Sequence, residues 1–100
     1  MRKIEFGSME WVDLAAGTRA KIWNDAGRRV RVLELDEQQV VPEWRENSHV
    51  GMILEGTLEI NCCGTVHSFG KGDGLAIPKC DRQKARAVGG VARLVLFEEV

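Results

Sequence analysis

The residues best suited to chemistry lie at and just before His49. Histidine is the side chain whose ordinary pKa lies nearest neutral pH, so His49 is the candidate for transferring a proton. Glu43 and Arg45 precede it at even intervals, and residues two or four apart in a strand project from the same face. Glu43 could orient or assist the imidazole. Arg45 would be costly to bury unless Glu43 or an anionic ligand paired with it.

Four large apolar side chains have less specific roles. Trp44 and Met52 could line an apolar pocket beside His49, or they could fill the core. Trp11 and Trp23 are expected to fill the core, because large aromatic side chains are usually buried for packing.

Cysteine usage indicates the redox environment. Cys62, Cys63 and Cys80 are an odd number and include no CxxC pair, which is typical of a reducing compartment rather than of a disulfide framework. Neighbouring residues of a strand point to opposite faces, so a disulfide between Cys62 and Cys63 is not expected. Cys80 is expected to be a small buried hydrophobic residue, with a position at the rim of a pocket as the alternative.

Glycine and proline separate short segments that are rich in Val, Ile and Leu, a pattern typical of many short strands. Only residues 9–16 could hold a helical turn. We predict tight turns at 55–57, 63–65 and 70–74. Eight strands are predicted, near residues 21–23, 30–35, 49–54, 58–62, 66–69, 74–77, 84–88 and 92–98. So many strands in one domain, residues 1–100, predict an all-β sandwich or barrel.

Length, composition and net charge limit the classes of protein to which this chain can belong. A chain of 100 residues has no room for two cores. Its 44% hydrophobic and 29% charged residues argue against disorder. The formal net charge of −1 argues against a generally basic surface, so no nucleic-acid partner is expected. The run that holds Arg28, Arg29 and Arg31 is interpreted as a solvated face.

No membrane partner is expected. The longest apolar runs are far shorter than the roughly 20 residues that cross a bilayer. Arg2 and Lys3 are not followed by an apolar stretch, so a secretory signal is not expected. These features predict a cytoplasmic protein.

The segment 42–83 resembles the two motifs of the cupin family. In that family the first motif holds two histidines and a glutamate and ends in glycine, and the second runs from a glycine through a proline to a third histidine. Residues 50–56, Val-Gly-Met-Ile-Leu-Glu-Gly, look like the strand and glycine that close the first motif. Residues 72–78, Gly-Asp-Gly-Leu-Ala-Ile-Pro, look like the start of the second. The resemblance implies a double-stranded β-helix, a jelly-roll-like cupin barrel, with barrel motifs at 42–56 and 72–87.

The resemblance also implies where a site would lie. The motif spacing places Glu43 and Arg45 in the two histidine positions of the first motif, His49 in its glutamate position and Gln83 in the histidine position of the second. A guanidinium cannot coordinate a metal ion, and an amide oxygen is a weak ligand for transition metals. We therefore predict degenerate metal-binding motifs, with no metal and no cofactor at this site.

These observations predict a small cupin-like barrel that binds a small polar or anionic organic molecule without a metal. One alternative is a metal-independent isomerase, epimerase or lyase that uses His49 as its acid or base. Another is a non-enzymatic interaction protein whose barrel is filled by side chains. The small core and the family resemblance predict a homodimer. The predicted ligand-binding residues are Glu43, Trp44, Arg45, His49, Met52 and Gln83.

Overall fold

The computed structural model describes residues 1–42, 49–80 and 82–99, and strands account for most of them. All eight predicted segments lie within observed strands, and the prediction of an all-β fold is confirmed. Residues 9–16 hold no helix, because half of this segment forms β1 and the remainder is not helical. The described elements are a short 3-10 helix at Phe6–Ser8 and the strands β1 Val12–Ala15, β2 Thr18–Asp25, β3 Arg28–Leu35, β4 His49–Cys62, β5 Thr65–Gly70, β6 Gly74–Ile77 and β7 Gln83–Glu99.

The strands form one antiparallel sheet in the order β1-β2-β3-β7-β4-β5, and β6 pairs with β4. Alternate residues of the central strands are buried, as in β3 and β7, which is the pattern of a sheet with one face on a core. The buried apolar residues form a single cluster: Ala20, Leu33, Leu35, Ile53, Leu58, Ile60, Leu75, Ile77, Ala85, Ala87, Ala92, Leu94 and Leu96.

The long antiparallel pair of β4 and β7 changes register near its middle. Residues from both halves of each strand, such as Leu58 and Ile53 of β4, belong to the same buried cluster. The strand pair must therefore bend so that its two halves cover one core. The register shifts on either side of Glu55, and Gly56 has a φ of +77°, which favours glycine. The turn predicted at 55–57 is wrong, because β4 continues through these residues.

The connection between β4 and β5 is a two-residue hairpin, as predicted near residues 63–65. Cys63 and Gly64 have φ values of +54° and +88°, which match the type I′ turn that suits the twist of antiparallel strands. Asn61 Oδ1 accepts a hydrogen bond from Gly64 N at 3.0 Å. Because Cys63 lies in this left-handed turn, strand alternation does not place its side chain opposite that of Cys62.

Apolar side chains also line the outer face of the sheet. Trp23, Val30, Phe97 and Val50 are consecutive register partners across β2, β3, β7 and β4. A second row holds Val32, Val95 and Met52 in the same way. We call these seven residues the outer apolar strip. Among the residues that the structure describes, no helix is long and apolar enough to span a membrane.

Candidate functional site

The most concentrated group of buried charges surrounds the carboxylate of Glu98, near the end of β7. Arg31 donates to it from Nε at 2.5 Å and from Nη2 at 2.9 Å. Arg29 donates from Nε at 3.1 Å and from Nη2 at 3.0 Å. His49 Nδ1 lies 3.0 Å from Glu98 Oε2. These four residues are called the Glu98 cluster below.

The sheet explains why the four side chains meet. β7 lies between β3 and β4, and Arg29 is the register partner of Glu98. Val50 pairs with Phe97, so the antiparallel register brings His49 beside Glu98 from the other side. Strand alternation puts these residues on the same face as the core leucines of β3 and β7. The Glu98 cluster therefore lies on the core side of the sheet, next to the apolar core residues.

Burial and hydrogen bonding shift the pKa of Glu98 in opposite directions. Its burial raises the pKa of the carboxyl group, but the hydrogen bonds and positive charges of Arg29 and Arg31 outweigh burial, so the pKa lies below its ordinary value. Glu98 is therefore ionised at neutral pH. Its side chain is 1% exposed and that of Arg31 is 2% exposed, whereas Arg29 is 31% exposed. Arg29 is thus the cation of the cluster that solvent can reach.

A groove of about 920 Å³ lies at this end of the sheet, where β2 ends, β3 and β4 begin and β7 ends. Its polar lining residues are Arg29, His49 and Glu98, together with Arg2, Asp25, Arg28 and Glu99. Trp23, Val30, Val50 and Phe97 of the outer apolar strip also line it. The groove combines a few polar groups with apolar surface, which is typical of small-molecule sites.

The two described polar residues of the predicted site, His49 and Gln83, are both buried but line different pockets. His49 is buried and lines the groove. Gln83 is also buried, and its Nε2 donates to the Pro78 carbonyl at 2.8 Å. Pro78 directly follows Ile77, the register partner of His49. Gln83 and His49 therefore approach the same segment from different strands.

Met52 is not placed with His49. The two lie an odd number of residues apart on β4, so their side chains project from opposite faces, and Met52 is 45% exposed on the outer apolar strip. Glu43, Trp44 and Arg45 lie outside the described residues, and their predicted roles stay predictions.

Sequence reasoning missed Glu98 and misread its partners. Arg31 is 1% exposed, so the expectation that it lies on a solvated face is wrong, because the Glu98 carboxylate compensates its buried charge. The expectation that Trp11 and Trp23 fill the core is also wrong. Both are partly exposed, and Trp11 lies beneath cationic side chains, with the Arg19 guanidinium 4.4 Å from its ring centre.

The Glu98 cluster and Gln83 do not fit the metal ion that the cupin fold implies. The Glu98 carboxylate is occupied by two guanidinium groups, and their positive charges disfavour a nearby cation. Gln83 directs its amide nitrogen, a hydrogen-bond donor, at the Pro78 carbonyl. Within 1–42, 49–80 and 82–99, three metal-ligating side chains converge at one place only, at Cys62, Cys63 and Cys80.

Solved structures with the same architecture include cupins. The polyketide cyclase RemF from Streptomyces resistomycificus matches with a TM-score of 0.79 and 18% identity, over 97% of this chain and 78% of that one. KdgF from Halomonas sp. matches with a TM-score of 0.69 and 19% identity, over 94% and 89%. A cupin-2 domain protein from Shewanella frigidimarina matches with a TM-score of 0.67 and 18% identity, over 81% and 79%.

No protein-family model matches the sequence, and no curated protein is significantly similar to it. The structural matches are nevertheless extensive and agree with one another. The chain therefore has a cupin fold, an all-β barrel, as the motifs at 50–56 and 72–78 predict.

Proposed function

We propose that this cupin barrel binds a small organic molecule with a polar or anionic group in the groove beside the Glu98 cluster, without a metal ion at that site. The observation that carries the proposal is the set of ionisable side chains, Arg29, His49 and Glu98, that line one groove. Buried charges are costly unless they are paired. Their concentration at a cavity is the arrangement expected of a binding site.

The charges favour an anionic group in the ligand. Arg29 and Arg31 supply two positive charges and Glu98 one negative charge, so the cluster has an excess positive charge even when His49 is neutral. The other charged residues of the groove do not cancel this excess, because the charges of Arg2 and Arg28 balance those of Asp25 and Glu99. Arg29 is partly exposed and can present guanidinium hydrogens to a ligand oxygen. Ile4, which lines the groove but lies outside the outer apolar strip, offers apolar surface to the remainder of the molecule.

Replacing Arg29 by alanine is expected to weaken binding of such a ligand by about 10- to 100-fold, because a charge-assisted hydrogen bond is lost. Thermal-shift screening with sugar acids, sugar phosphates and small carboxylates would identify the ligand, and isothermal titration would measure its affinity. Each variant is compared with its own ligand-free melting temperature. Arg86→Ala is the matched control, since Arg86 pairs with Glu59 away from the groove. Equal affinity in the Arg29 and Arg86 variants would contradict the proposal.

Proton transfer by His49 is the second candidate function. The 3.0 Å distance between Nδ1 and Glu98 Oε2 favours it, because a neighbouring carboxylate would stabilise the positive charge that the imidazole gains when it accepts a proton. A metal-independent isomerase, epimerase or lyase would use such a base. The match to a polyketide cyclase concerns the fold, and it is an example of catalysis by a protein of this architecture.

An enzyme of this kind would exchange a carbon-bound substrate proton with solvent. Proton magnetic resonance in D₂O would follow that exchange for ligands found in the screen. His49→Gln is expected to slow it by about 10²- to 10⁴-fold. Glu55→Gln, which changes an exposed carboxylate that does not line the groove, should leave it unchanged. Exchange at the wild-type rate in His49→Gln would exclude this mechanism.

We also propose that the chain forms a homodimer through the outer apolar strip. Val50, Met52 and Phe97 are 62%, 45% and 54% exposed, and they are contiguous with the less exposed Val30 and Val95. Contiguous exposed apolar surface commonly marks an interaction site. Burying the same patch on two copies would form an isologous interface.

Sedimentation of the wild-type protein is expected to give the mass of two chains, and Phe97→Glu is expected to give one chain, because a carboxylate would be buried unpaired at the interface. Val66→Glu is the control, since Val66 is similarly exposed, at 57%, but lies on β5. A wild-type monomer, or a dimer unaffected by Phe97→Glu, would rule out this interface.

A further inference from the structure

Three cysteine side chains converge where β4 and β6 end. Cys62 is the last residue of β4, Cys63 lies in the following turn, and Cys80 lies between β6 and β7. Cys80 Sγ is 3.1 Å from Cys62 Sγ and 3.4 Å from Cys63 Sγ. The three sulfurs lie within 4.8 Å of one another. These residues are called the cysteine cluster.

The backbone, rather than strand alternation, brings the sulfurs together. The left-handed conformation of Cys63, with a φ of +54°, is uncommon for a residue other than glycine, asparagine or aspartate. It turns the chain so that the Cys62 and Cys63 sulfurs both reach Cys80. Residues held in such a conformation are enriched at functional sites, and here the constrained residue carries a ligand atom.

A single metal ion fits this geometry better than a disulfide. Both sulfur separations from Cys80 exceed the disulfide bond length of about 2.05 Å, and one disulfide would leave the third thiol unused. Thiolates on a tetrahedral zinc ion lie about 2.3 Å from the metal and hence about 3.8 Å apart. The two separations from the Cys80 sulfur are somewhat shorter than that value, and all three sulfurs lie within 4.8 Å of one another. Small side-chain rotations that move the sulfurs apart would therefore complete the site.

Cationic residues near the cysteine cluster could balance the negative charge of a zinc ion bound by three thiolates. Without a cation the thiols stay protonated: the contact with Cys80, and then burial, raise the pKa of Cys62 to about 11, and the pKa of Cys63 is raised as well. Arg82 acts in the opposite direction and lowers the pKa of Cys63. Arg82, Lys84 and Cys63 line one shallow pocket, so two cations lie beside the position where a zinc trithiolate would carry a net negative charge.

We propose that the cysteine cluster binds one Zn²⁺ ion through three thiolates, with the fourth coordination position open to water at the exposed side of Cys63. Three zinc-sulfur bonds form, the three thiol protons pass to solvent, and no atom changes oxidation state. The ion would fasten the segment before β7 to the end of β4. This site is separate from the Glu98 cluster and does not depend on the function proposed for it.

Titration of the reduced, metal-free protein with Co²⁺ under anaerobic conditions tests the proposal. One equivalent of Co²⁺ is expected to produce thiolate-to-cobalt charge-transfer absorption, which Zn²⁺ should abolish by displacement. Cys80→Ser is expected to weaken Zn²⁺ binding by more than about 100-fold, since even residues that only support metal ligands cost 10- to 100-fold. Cys63→Ser, at an exposed turn, provides the same test should Cys80→Ser fail to fold.

The controls separate this cluster from the two histidines. His67→Ala removes an exposed imidazole of β5, and His49→Gln alters the Glu98 cluster. Both variants should bind Co²⁺ as the wild type does. Absence of Co²⁺ uptake by protein with three titratable thiols would overturn the proposal, as would uptake that persists in Cys80→Ser and Cys63→Ser. Binding of Cu⁺ without binding of Co²⁺ or Zn²⁺ would also overturn the assignment to zinc.

Discussion

Replacing Glu98 by glutamine is expected to lower the free energy of unfolding by about 3–5 kcal/mol, the cost of removing one partner from a buried ion pair. Arg31 is 1% exposed, and in the variant its guanidinium would remain buried without a compensating carboxylate. Arg29 is less affected, because its side chain is 31% exposed and can be hydrated. Urea denaturation followed by circular dichroism measures the change.

Two further variants identify the cause of this loss. Glu99→Gln changes an exposed carboxylate on the next residue of β7 and should alter stability by no more than about 0.5 kcal/mol. The double variant Arg31→Met with Glu98→Leu replaces both buried charges by apolar groups and should recover much of the stability. A loss in Glu98→Gln no larger than that in Glu99→Gln would contradict the interpretation.

Acid titration examines the same interaction. Because the folded-state pKa of Glu98 lies below the ordinary value of 4.5, its contribution to stability is complete above that pH and is lost as the pH falls further towards the folded-state value. Hydrogen bonding from Arg19, partly opposed by burial, also lowers the pKa of Glu34, so both variant and wild type should lose stability in acid. Glu98→Gln should have the shallower dependence.

The strands could be predicted because their physical signal is local. Apolar alternation and glycine punctuation identify six of the seven described strands. They do not show that the predicted segments 49–54 and 58–62 form one strand. That continuity depends on pairing with β7, a contact distant in sequence. The same limit explains the turn wrongly predicted at 55–57, since a glycine with positive φ occurs in turns and in bends alike.

The site was harder to predict because its residues come from three strands. His49 was identified from its chemistry and from the cupin resemblance. Glu98 is harder to recognise from the sequence. It occupies the same alternate positions of its strand as the buried Leu94 and Leu96, and Arg31 is related in the same way to the buried Leu33. An ionisable residue in phase with a buried apolar face is a candidate for a buried ion pair. Which charges pair depends on the β3-β7-β4 order, which local patterns do not contain.

Gly56→Ala is expected to destabilise the protein by about 2–5 kcal/mol, from left-handed backbone strain together with steric overlap. Gly56 has a φ of +77°. A Cβ atom at this position would lie 2.3 Å from the Val91 carbonyl oxygen, and a backbone atom cannot move aside without displacing β7. The bend that lets both halves of the β4-β7 strand pair cover one core would therefore be disturbed. Urea denaturation measures the loss.

Gly72→Ala separates the two contributions to that loss. Gly72 has a φ of +87°, similar to that of Gly56, but a Cβ atom there would meet nothing within 4 Å. Its substitution should cost only the left-handed strain of about 1–2 kcal/mol, and the Gly56 variant should lose at least about 1 kcal/mol more because of overlap with β7. Equal losses would mean that β4 and β7 do not approach so closely at the bend. The barrel would then owe its shape to other contacts.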